Sequence, residues 1–112
     1  MVKKSKVAIE RETKINEAIP ASAIIKSIRQ TSSPSVGSMG RADSYCLELV
    51  IQVAGQPQYD AKTWWLVYPL AIPQMKTGEQ LPVRVDKRDR KVIYPGMENV
   101  EYDWRVAMGY IP

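Results

Sequence analysis

The sequence predicts a mainly β protein, a small antiparallel barrel of five or six strands. Segments that alternate apolar and polar residues recur along the chain, and turn-forming residues separate them. The 112 residues leave room for one domain with one modest core. Apolar residues make up 45% and charged residues 25% of the chain, which are ordinary values for a folded domain.

Residues 1–18 form a basic N-terminal arm. Residues 1–30 carry seven basic and three acidic residues, and this excess equals the net charge of +4 of the whole chain. Val7 and Ile9 alternate as they would in a strand, whereas Ala8 and Ile15 lie near one face of a helix. Both structures remain open for the arm, and we favour a short helix.

Residues 19–95 are predicted to form the barrel. "ASAIIKSIRQT" is rich in β-branched residues and favours a first strand, and the serine- and glycine-rich "TSSPSVGSMGRADS", residues 31–44, indicates a loop. "YCLELVIQV" then alternates cleanly. Leu47, Leu49 and Ile51 should face inward, and Cys46 should face the other way as a structural thiol.

A tryptophan pair marks the next strand, "YDAKTWWLVYP". Adjacent side chains of a strand point to opposite faces, so Trp64 and Trp65 cannot both enter one core. One of them should pack inside the barrel. The other should lie outside with Tyr68 nearby, where it could be covered by the rest of the chain, anchor a protein partner or stack on nucleobases.

The stretch "LPVRVDKRDRKVIYP", residues 81–95, predicts a hairpin with a charged tip. Five basic and two acidic side chains lie between Arg84 and Lys91. One interpretation makes Arg84, Arg88 and Lys91 contacts to phosphates. The favoured interpretation is a solvated turn, in which Asp86 and Asp89 accept backbone hydrogen bonds and dilute the positive patch.

The segment 96–112 is predicted to be a C-terminal strand or a strap over the barrel. Val100, Tyr102, Trp104 and Val106 alternate strictly with charged residues, which gives the segment one aromatic-rich face. The segment either packs against its own barrel or adds to the sheet of a neighbouring subunit, because edge pairing is a common way to bind.

Residues 18–95 resemble an uncharacterised bacterial family of small β-barrel domains, OB-like or SH3-like. The resemblance rests on "ASAII", "LELVIQV", "GQPQY", "IPQMKTGEQ" and above all on "LPVRVDKRD", which matches the family hallmark LPVRVD-x-x-D. Lys87 and Arg90 stand where the family pattern has proline, so a charged turn replaces a stiff one. The resemblance implies an OB-like or SH3-like fold, no enzymatic activity, and a frequent location in or beside membrane-associated bacterial proteins.

Several functional classes are disfavoured by composition. The chain has no histidine and one cysteine, so transition-metal sites, histidine-based catalysis and an internal disulfide are not expected. We expect no catalytic residue, no metal and no cofactor. The N-terminus is too charged for a signal peptide, and the longest charge-free run, Thr63 to Met75, is too short and proline-rich to span a bilayer. A cytoplasmic protein is therefore expected.

The sequence thus predicts a non-enzymatic interaction or assembly module. Its partner is expected to be another protein or a second copy of the chain, bound through the terminal arms and an aromatic patch formed by Trp64, Tyr68, Tyr102 and Trp104. A membrane-associated partner is compatible with this prediction. The alternative is an OB-like protein that binds single-stranded nucleic acid by aromatic stacking and basic side chains.

Overall fold

The computed structural model of the chain describes residues 5–31, 35–37, 40–106 and 109. The described part consists of helix α1 (Lys6–Glu17), strands β1 (Ile19–Gln30), β2 (Ser35–Gly37), β3 (Gly40–Gln52) and β4 (Tyr59–Val67), a 3-10 helix (Pro69–Gln74), and strands β5 (Gln80–Val85), β6 (Ile93–Pro95) and β7 (Val100–Tyr102). The prediction of a small antiparallel barrel with a short N-terminal helix is confirmed.

The strands follow the order β6-β5-β1-β3-β4-β7, and β2 pairs with the start of β3. β1, β3 and β4 are joined in sequence as antiparallel neighbours, and β5 returns to pair with the other edge of β1. This is the Greek-key arrangement, in which the fourth strand lies beside the first. OB-folds are Greek-key barrels of this kind.

Side chains complete the barrel between β4 and β6, where the backbone ladder is incomplete. The carbonyl of Ile93 accepts hydrogen bonds from the hydroxyl of Thr63 (3.1 Å) and the indole N–H of Trp65 (3.0 Å). Both donors are buried, so these bonds are shielded from water. The ring of Trp65 therefore fills the core and also ties two strands together.

The core follows the predicted alternation. Leu47, Leu49, Ile51 and Trp65 are completely buried, with 0% of each residue exposed. Trp64, the neighbour of Trp65, lies on the opposite face of β4 and is half-buried. The expectation that only one tryptophan of the pair enters the core is confirmed.

Two segments differ from the sequence pattern. β3 begins at Gly40, so it occupies part of the predicted loop 31–44. The alternation over residues 100–106 gives a strand only as far as Tyr102, and residues 104–106 form a turn. The predictions for residues 1–4 of the arm, residues 32–34 and 38–39 of the loop, and residues 107–108 and 110–112 of the C-terminal segment lie outside the described residues.

A buried aspartate accounts for the early end of β7. Asp103 is 1% exposed, and its carboxylate accepts hydrogen bonds from the backbone N–H of Arg105 (3.1 Å) and from its guanidinium. The same carboxylate accepts from the hydroxyl of Ser44 (3.2 Å). These bonds stabilise a turn, because an aspartate that accepts from the backbone two residues later competes with the strand ladder.

Within the part of the chain that the structure describes, no helix is long and apolar enough to cross a membrane.

Candidate functional site

A groove of about 560 Å³ separates helix α1 from the side of the barrel that carries the 86–92 turn. We call it the α1 groove. Its volume lies in the range of ligand pockets. The groove combines aromatic, aliphatic and charged side chains, namely Ile9, Glu10, Thr13, Lys14, Glu17, Asp86, Lys87, Arg88, Asp89, Val92, Tyr94, Tyr102 and Trp104.

Helix α1 forms one wall of the groove and is attached lightly to the barrel. The Ser5 hydroxyl caps its N-terminus by accepting from the backbone N–H of Ala8 (3.1 Å). Near its C-terminus, the guanidinium of Arg84 donates to the carbonyl of Ile15 at 3.4 Å, and the Ile15 side chain packs against the core. The helix itself contains no buried residue. One of its faces is therefore open to the groove.

Three aromatic rings form the floor of the groove. The ring of Tyr102 lies edge-to-face on Tyr94 and on Trp104, with centroids 5.1 and 4.9 Å apart. Tyr94 and Trp104 also contact each other at 5.7 Å. Arg11 of α1 places its guanidinium 5.0 Å from the Trp104 centroid, within the range of a cation–π interaction. The contact between Arg11 and Trp104 thus joins helix α1 to the groove floor.

The Tyr94 hydroxyl donates a 2.5 Å hydrogen bond to the carboxylate of Asp86, at the point where β5 ends and the turn begins. Burial raises the pKa of the Asp86 carboxyl, but the bonds from Tyr94 and from the amides of Arg88 and Asp89 lower it, with a contribution from the charge of Lys14. The net pKa is below the ordinary value. Asp86 is therefore ionised at neutral pH and fixed in position.

Electrostatics at the floor follow from this carboxylate and its neighbours. The pKa of Tyr94 is raised by burial first, and then by its hydrogen bond to Asp86 and by the negative charges of Asp86 and Asp89. The pKa of Tyr102 is also raised, by burial and then by the charges of Asp103, Asp86 and Asp89. Burial is the largest cause of both raised pKa values, and the nearby carboxylates add to it because they make each phenol harder to ionise.

The tip of the β5–β6 hairpin is an ordered turn. Asp86 accepts from the backbone N–H groups of Arg88 (2.8 Å) and Asp89 (3.0 Å), and Asp89 accepts from that of Lys91 (3.0 Å). Arg90 stacks over the Tyr59 ring at 4.0 Å. These contacts agree with the solvated-turn interpretation of this stretch.

The three residues considered as phosphate contacts lie in different settings. Arg84 is half-buried and bonded to α1, whereas Arg88 and Lys91 are exposed on the turn. Arg88 lines the rim of the α1 groove. Of the three cations, Arg88 alone lines the groove, and Arg84 is engaged with the backbone of α1.

The four aromatic residues considered for partner binding fall into two groups. Tyr102 and Trp104 belong to the groove floor, where Tyr102 is buried and Trp104 is half-buried. Trp64 and Tyr68 lie on the outer face of β3 and β4. Tyr68 is only 5% exposed and packs with Leu66 and Ala42.

Trp64 has a mixed environment on that outer face. Lys62 lies 5.5 Å from the centroid of its ring. Its indole N–H is buried, and no acceptor for it is found in the described ranges 5–31, 35–37, 40–106 and 109. Lys62 also lines a small depression with Glu48 and with Lys26 and Asp60, which pair at 3.2 Å, so this face carries both signs of charge.

Two side chains with reactive groups, Cys46 and Asp103, are buried. Cys46 is a buried free thiol of β3, 5% exposed. Asp103 is paired with Arg105 at 2.6 Å. Within the described residues, no group of three or more cysteine, aspartate or glutamate side chains could hold a metal ion.

Sequence reasoning missed most of the groove. It identified Tyr102, Trp104 and Arg88, but it did not single out Tyr94 or the face of α1 formed by Ile9 and Thr13. The spacing of Ile9, Thr13 and Glu17, four residues apart, would have placed them on one helical face. Whether this face lies opposite Tyr94 depends on how the helix packs against the barrel. The local sequence pattern contains no information about that packing.

None of three comparisons, with models of protein families, with curated proteins and with solved structures, gave a match for the chain. The resemblance based on "LPVRVDKRD" therefore stays a prediction. The functional interpretation depends on the geometry of the α1 groove.

Proposed function

We propose that the chain is a non-enzymatic interaction module and that it binds a protein partner, or a second copy of itself, in the α1 groove. One observation carries the proposal: a concave surface with an aromatic floor and charged rims lies beneath a helix that buries none of its own residues. Protein-binding hot spots favour tyrosine, tryptophan and arginine in such settings. The sequence predicted binding through the terminal arms and an aromatic patch. The proposal keeps helix α1 of the N-terminal arm, which forms one wall of the groove, together with Tyr102 and Trp104 of the patch.

A non-enzymatic role is supported by how the acidic groups near the groove are used. Asp86 holds the hairpin turn and accepts from Tyr94, and its pKa is lowered, which is the opposite of what a general acid needs at neutral pH. The buried carboxylate of Asp103 is neutralised by Arg105. Each of these groups has a structural partner.

The groove is a better candidate than the exposed apolar residues of the 3-10 helix. Leu70 is 79% exposed and Ile72 is 37% exposed. Both belong to the 3-10 helix that precedes β5, whereas the 86–92 turn that lines the groove follows β5. Neither residue lines the α1 groove. Single exposed apolar side chains are normal on protein surfaces, whereas concave aromatic sites are characteristic of binding.

Single-stranded nucleic acid is the second candidate, and the Greek-key strand order favours it. OB-folds bind oligonucleotides across their second and third strands, here β3 and β4. That face carries Glu48 and Asp60 beside Lys62, so its charge is mixed. A gel shift at low salt with a single-stranded oligonucleotide tests this alternative, which requires a complex that dissociates as salt is added.

We further propose a cytoplasmic location in a bacterial cell. The buried free thiol of Cys46 is compatible with a reducing compartment. A membrane-associated protein remains a candidate partner for the groove.

Site-specific photo-cross-linking tests the proposed function. A photoreactive amino acid at Thr13, which is exposed and lines the groove, is compared with one at Glu48, which is exposed on the outer face of β3. We expect a saturable, discrete adduct from position 13, either with another protein or with a second copy, and none from position 48. A homogeneous adduct from position 48 and none from position 13 would refute the proposal.

A further inference from the structure

We propose that the second half of β1, residues 27–30, is an open sheet edge that binds an extended, acidic segment of a partner protein by antiparallel strand addition. The inference goes beyond the proposed function, because none of the residues that line the α1 groove belongs to β1. It rests on the length of β1, on the direction of its backbone groups and on the charge of Arg29.

Strand β1 is longer than the strand beside it. β5 pairs with residues 19–24 of β1, and the turn that precedes β5 takes up the backbone groups of Ile25. On its other side, β1 continues after a bulge and pairs with β3 through residues 27–30. Among the residues that the structure describes, residues 27–30 therefore have a neighbouring strand on one side only.

The register of β1 and β3 shows which backbone groups are open. The N–H of Thr31 donates to the carbonyl of Ser44 (2.8 Å), so these two residues form a hydrogen-bonded pair of the antiparallel ladder. Such pairs alternate with non-hydrogen-bonded ones, and Ile28 and Gln30 therefore belong to non-hydrogen-bonded pairs. Their N–H and C=O groups point away from β3, towards the side that β5 does not reach. An incoming strand meets donors and acceptors in a row.

The side chains of this edge leave it accessible from both faces of the sheet. Ser27, Arg29 and Gln30 are exposed, while Ile28 is half-buried and packs against the core. Neighbouring residues of a strand point to opposite faces. In an added strand, the residue opposite Ile28 thus extends the core layer, and the residue opposite Arg29 extends the outer face.

Charge favours an acidic residue opposite Arg29. Lys26, the other cation of this part of β1, is paired with Asp60 at 3.2 Å. No carboxylate in the described part of the chain forms an ion pair with Arg29. The backbone groups of Arg29 bond to β3, so its pair with an added strand is non-hydrogen-bonded, the arrangement that brings Cα atoms to about 4.5 Å. A glutamate at that position forms a favourable cross-strand pair.

The same arginine disfavours a second copy of the chain at this edge. The two-fold pairing that uses all the outward groups joins Ile28 of each copy to Gln30 of the other. It places the two Arg29 side chains directly opposite each other, and like charges in that position destabilise a sheet. Bulges and charged residues are also the features by which natural edge strands avoid self-association. The occupant is therefore a different protein, with an acidic residue in an extended segment.

The test combines amide hydrogen exchange with NMR titration of the full chain. The probes are three capped pentapeptides, Thr-Thr-X-Val-Thr, in which X is glutamate, glutamine or lysine. In the free chain, the amides of Ile28 and Gln30 should exchange faster than the amide of Arg29, which bonds within the ladder. At millimolar concentration, the glutamate peptide should protect both amides and bind roughly threefold more tightly than the glutamine peptide and roughly tenfold more tightly than the lysine peptide.

Two proline variants separate the open edge from the ladder. Gln30→Pro removes an N–H that points outward, where edge strands tolerate proline, so this variant should fold and lose peptide binding. Arg29→Pro removes an N–H that bonds to β3, so it should lower Tm much more than Gln30→Pro does. A third variant, Arg29→Glu, keeps the edge and should reverse the preference, so that the lysine peptide binds best.

Slow exchange of the Ile28 and Gln30 amides in the free chain, or no protection by any peptide, overturns the proposal. Equal binding of the glutamate and lysine peptides overturns the acidic preference on which the choice of partner rests. A dimer of the chain that Gln30→Pro abolishes overturns it in favour of self-pairing. None of these results bears on the α1 groove, which cross-linking at position 13 tests independently.

Discussion

Replacing Tyr94 with phenylalanine removes a single oxygen atom from a ring that is 1% exposed. The ring stays, so the contacts to Tyr102 and Trp104 are kept and no large cavity forms. What is lost is the 2.5 Å hydrogen bond to the carboxylate of Asp86. The variant therefore isolates the bond that connects the groove floor to the hairpin turn.

The expected cost follows from the nature of the acceptor. A hydrogen bond to a charged group contributes about 1.5–3 kcal/mol. Asp86 is half-buried and keeps the amides of Arg88 and Asp89 as donors, so we expect a value at or just below the low end of this range, about 1–2 kcal/mol. At roughly 4 °C per kcal/mol for a chain of this size, Tm should fall by about 4–8 °C.

The pH dependence gives a second signature. The folded pKa of Asp86 is lowered, so its contribution to stability is present above the unfolded value of about 3.9 and is lost as pH falls through the folded pKa. The folded pKa of Tyr94 is raised, so its contribution is present below about pH 10 and is lost as pH rises toward the folded value. The difference between wild type and Tyr94→Phe should therefore be greatest near neutral pH and shrink toward both extremes.

Urea unfolding followed by tryptophan fluorescence measures these differences, and Asp86→Asn with the double variant completes a thermodynamic cycle. We expect a coupling energy of about 1 kcal/mol between the two residues at neutral pH. A loss below about 0.5 kcal/mol, with no coupling, would refute the assignment of this bond as a structural link between floor and turn.

Three further substitutions test the core, the C-terminal turn and a close backbone contact. Leu49→Ala, at a residue with 0% exposure, should cost about 3–5 kcal/mol in urea unfolding, whereas Leu70→Ala, at 79% exposure, should change stability by less than about 0.5 kcal/mol. Asp103→Ala removes the buried carboxylate that pairs with Arg105 and accepts from the Ser44 hydroxyl, and it should cost about 3 kcal/mol, measured as a lower Tm. A Cβ at Gly96 would lie 3.1 Å from the backbone carbonyl of Pro82, so Gly96→Ala should cost about 1–3 kcal/mol by the same unfolding assay. Unchanged stability in any of the three would contradict the corresponding contact.

The barrel could be predicted because its strands carry their own pattern. Inward-facing residues of β3 alternate with residues of its outer face, as at Leu47, Leu49 and Ile51. Only one residue of the Trp64–Trp65 pair can enter the core, because neighbours on a strand point to opposite faces. The alternation of buried and exposed side chains is a local property of a strand, so the sequence shows it without any knowledge of which strands pair. The Greek-key order itself came from the structure, since strand pairing is non-local.

The C-terminal segment shows where local pattern fails. Trp104 and Val106 continue the alternation of β7, yet the chain turns after Tyr102. The turn depends on Asp103, which is buried against Ser44 of a distant strand and neutralised by Arg105. The alternating pattern predicts that Asp103 faces solvent. Asp103 is buried because it contacts Ser44 and Arg105 in the folded chain.

The α1 groove was unpredictable for the same reason. Its walls come from an N-terminal helix and a hairpin tip that are far apart in sequence, and its floor from β6, β7 and the turn after β7. Tyr94 was visible only as part of "KVIYP" in a hairpin strand. Its role follows from the carboxylate of Asp86 and the rings around it, and these contacts exist only in the folded chain.

The most direct test of the central claim is the affinity of the protein captured through position 13, purified and titrated calorimetrically into the full chain. Wild type is compared with Thr13→Arg, which fills the α1 groove from an exposed helix position, and with Leu70→Ala, outside the groove. We predict that Thr13→Arg weakens binding roughly tenfold or more and that Leu70→Ala leaves Kd unchanged. An unchanged Kd for Thr13→Arg, or a loss confined to Leu70→Ala, would contradict the α1 groove as the binding surface.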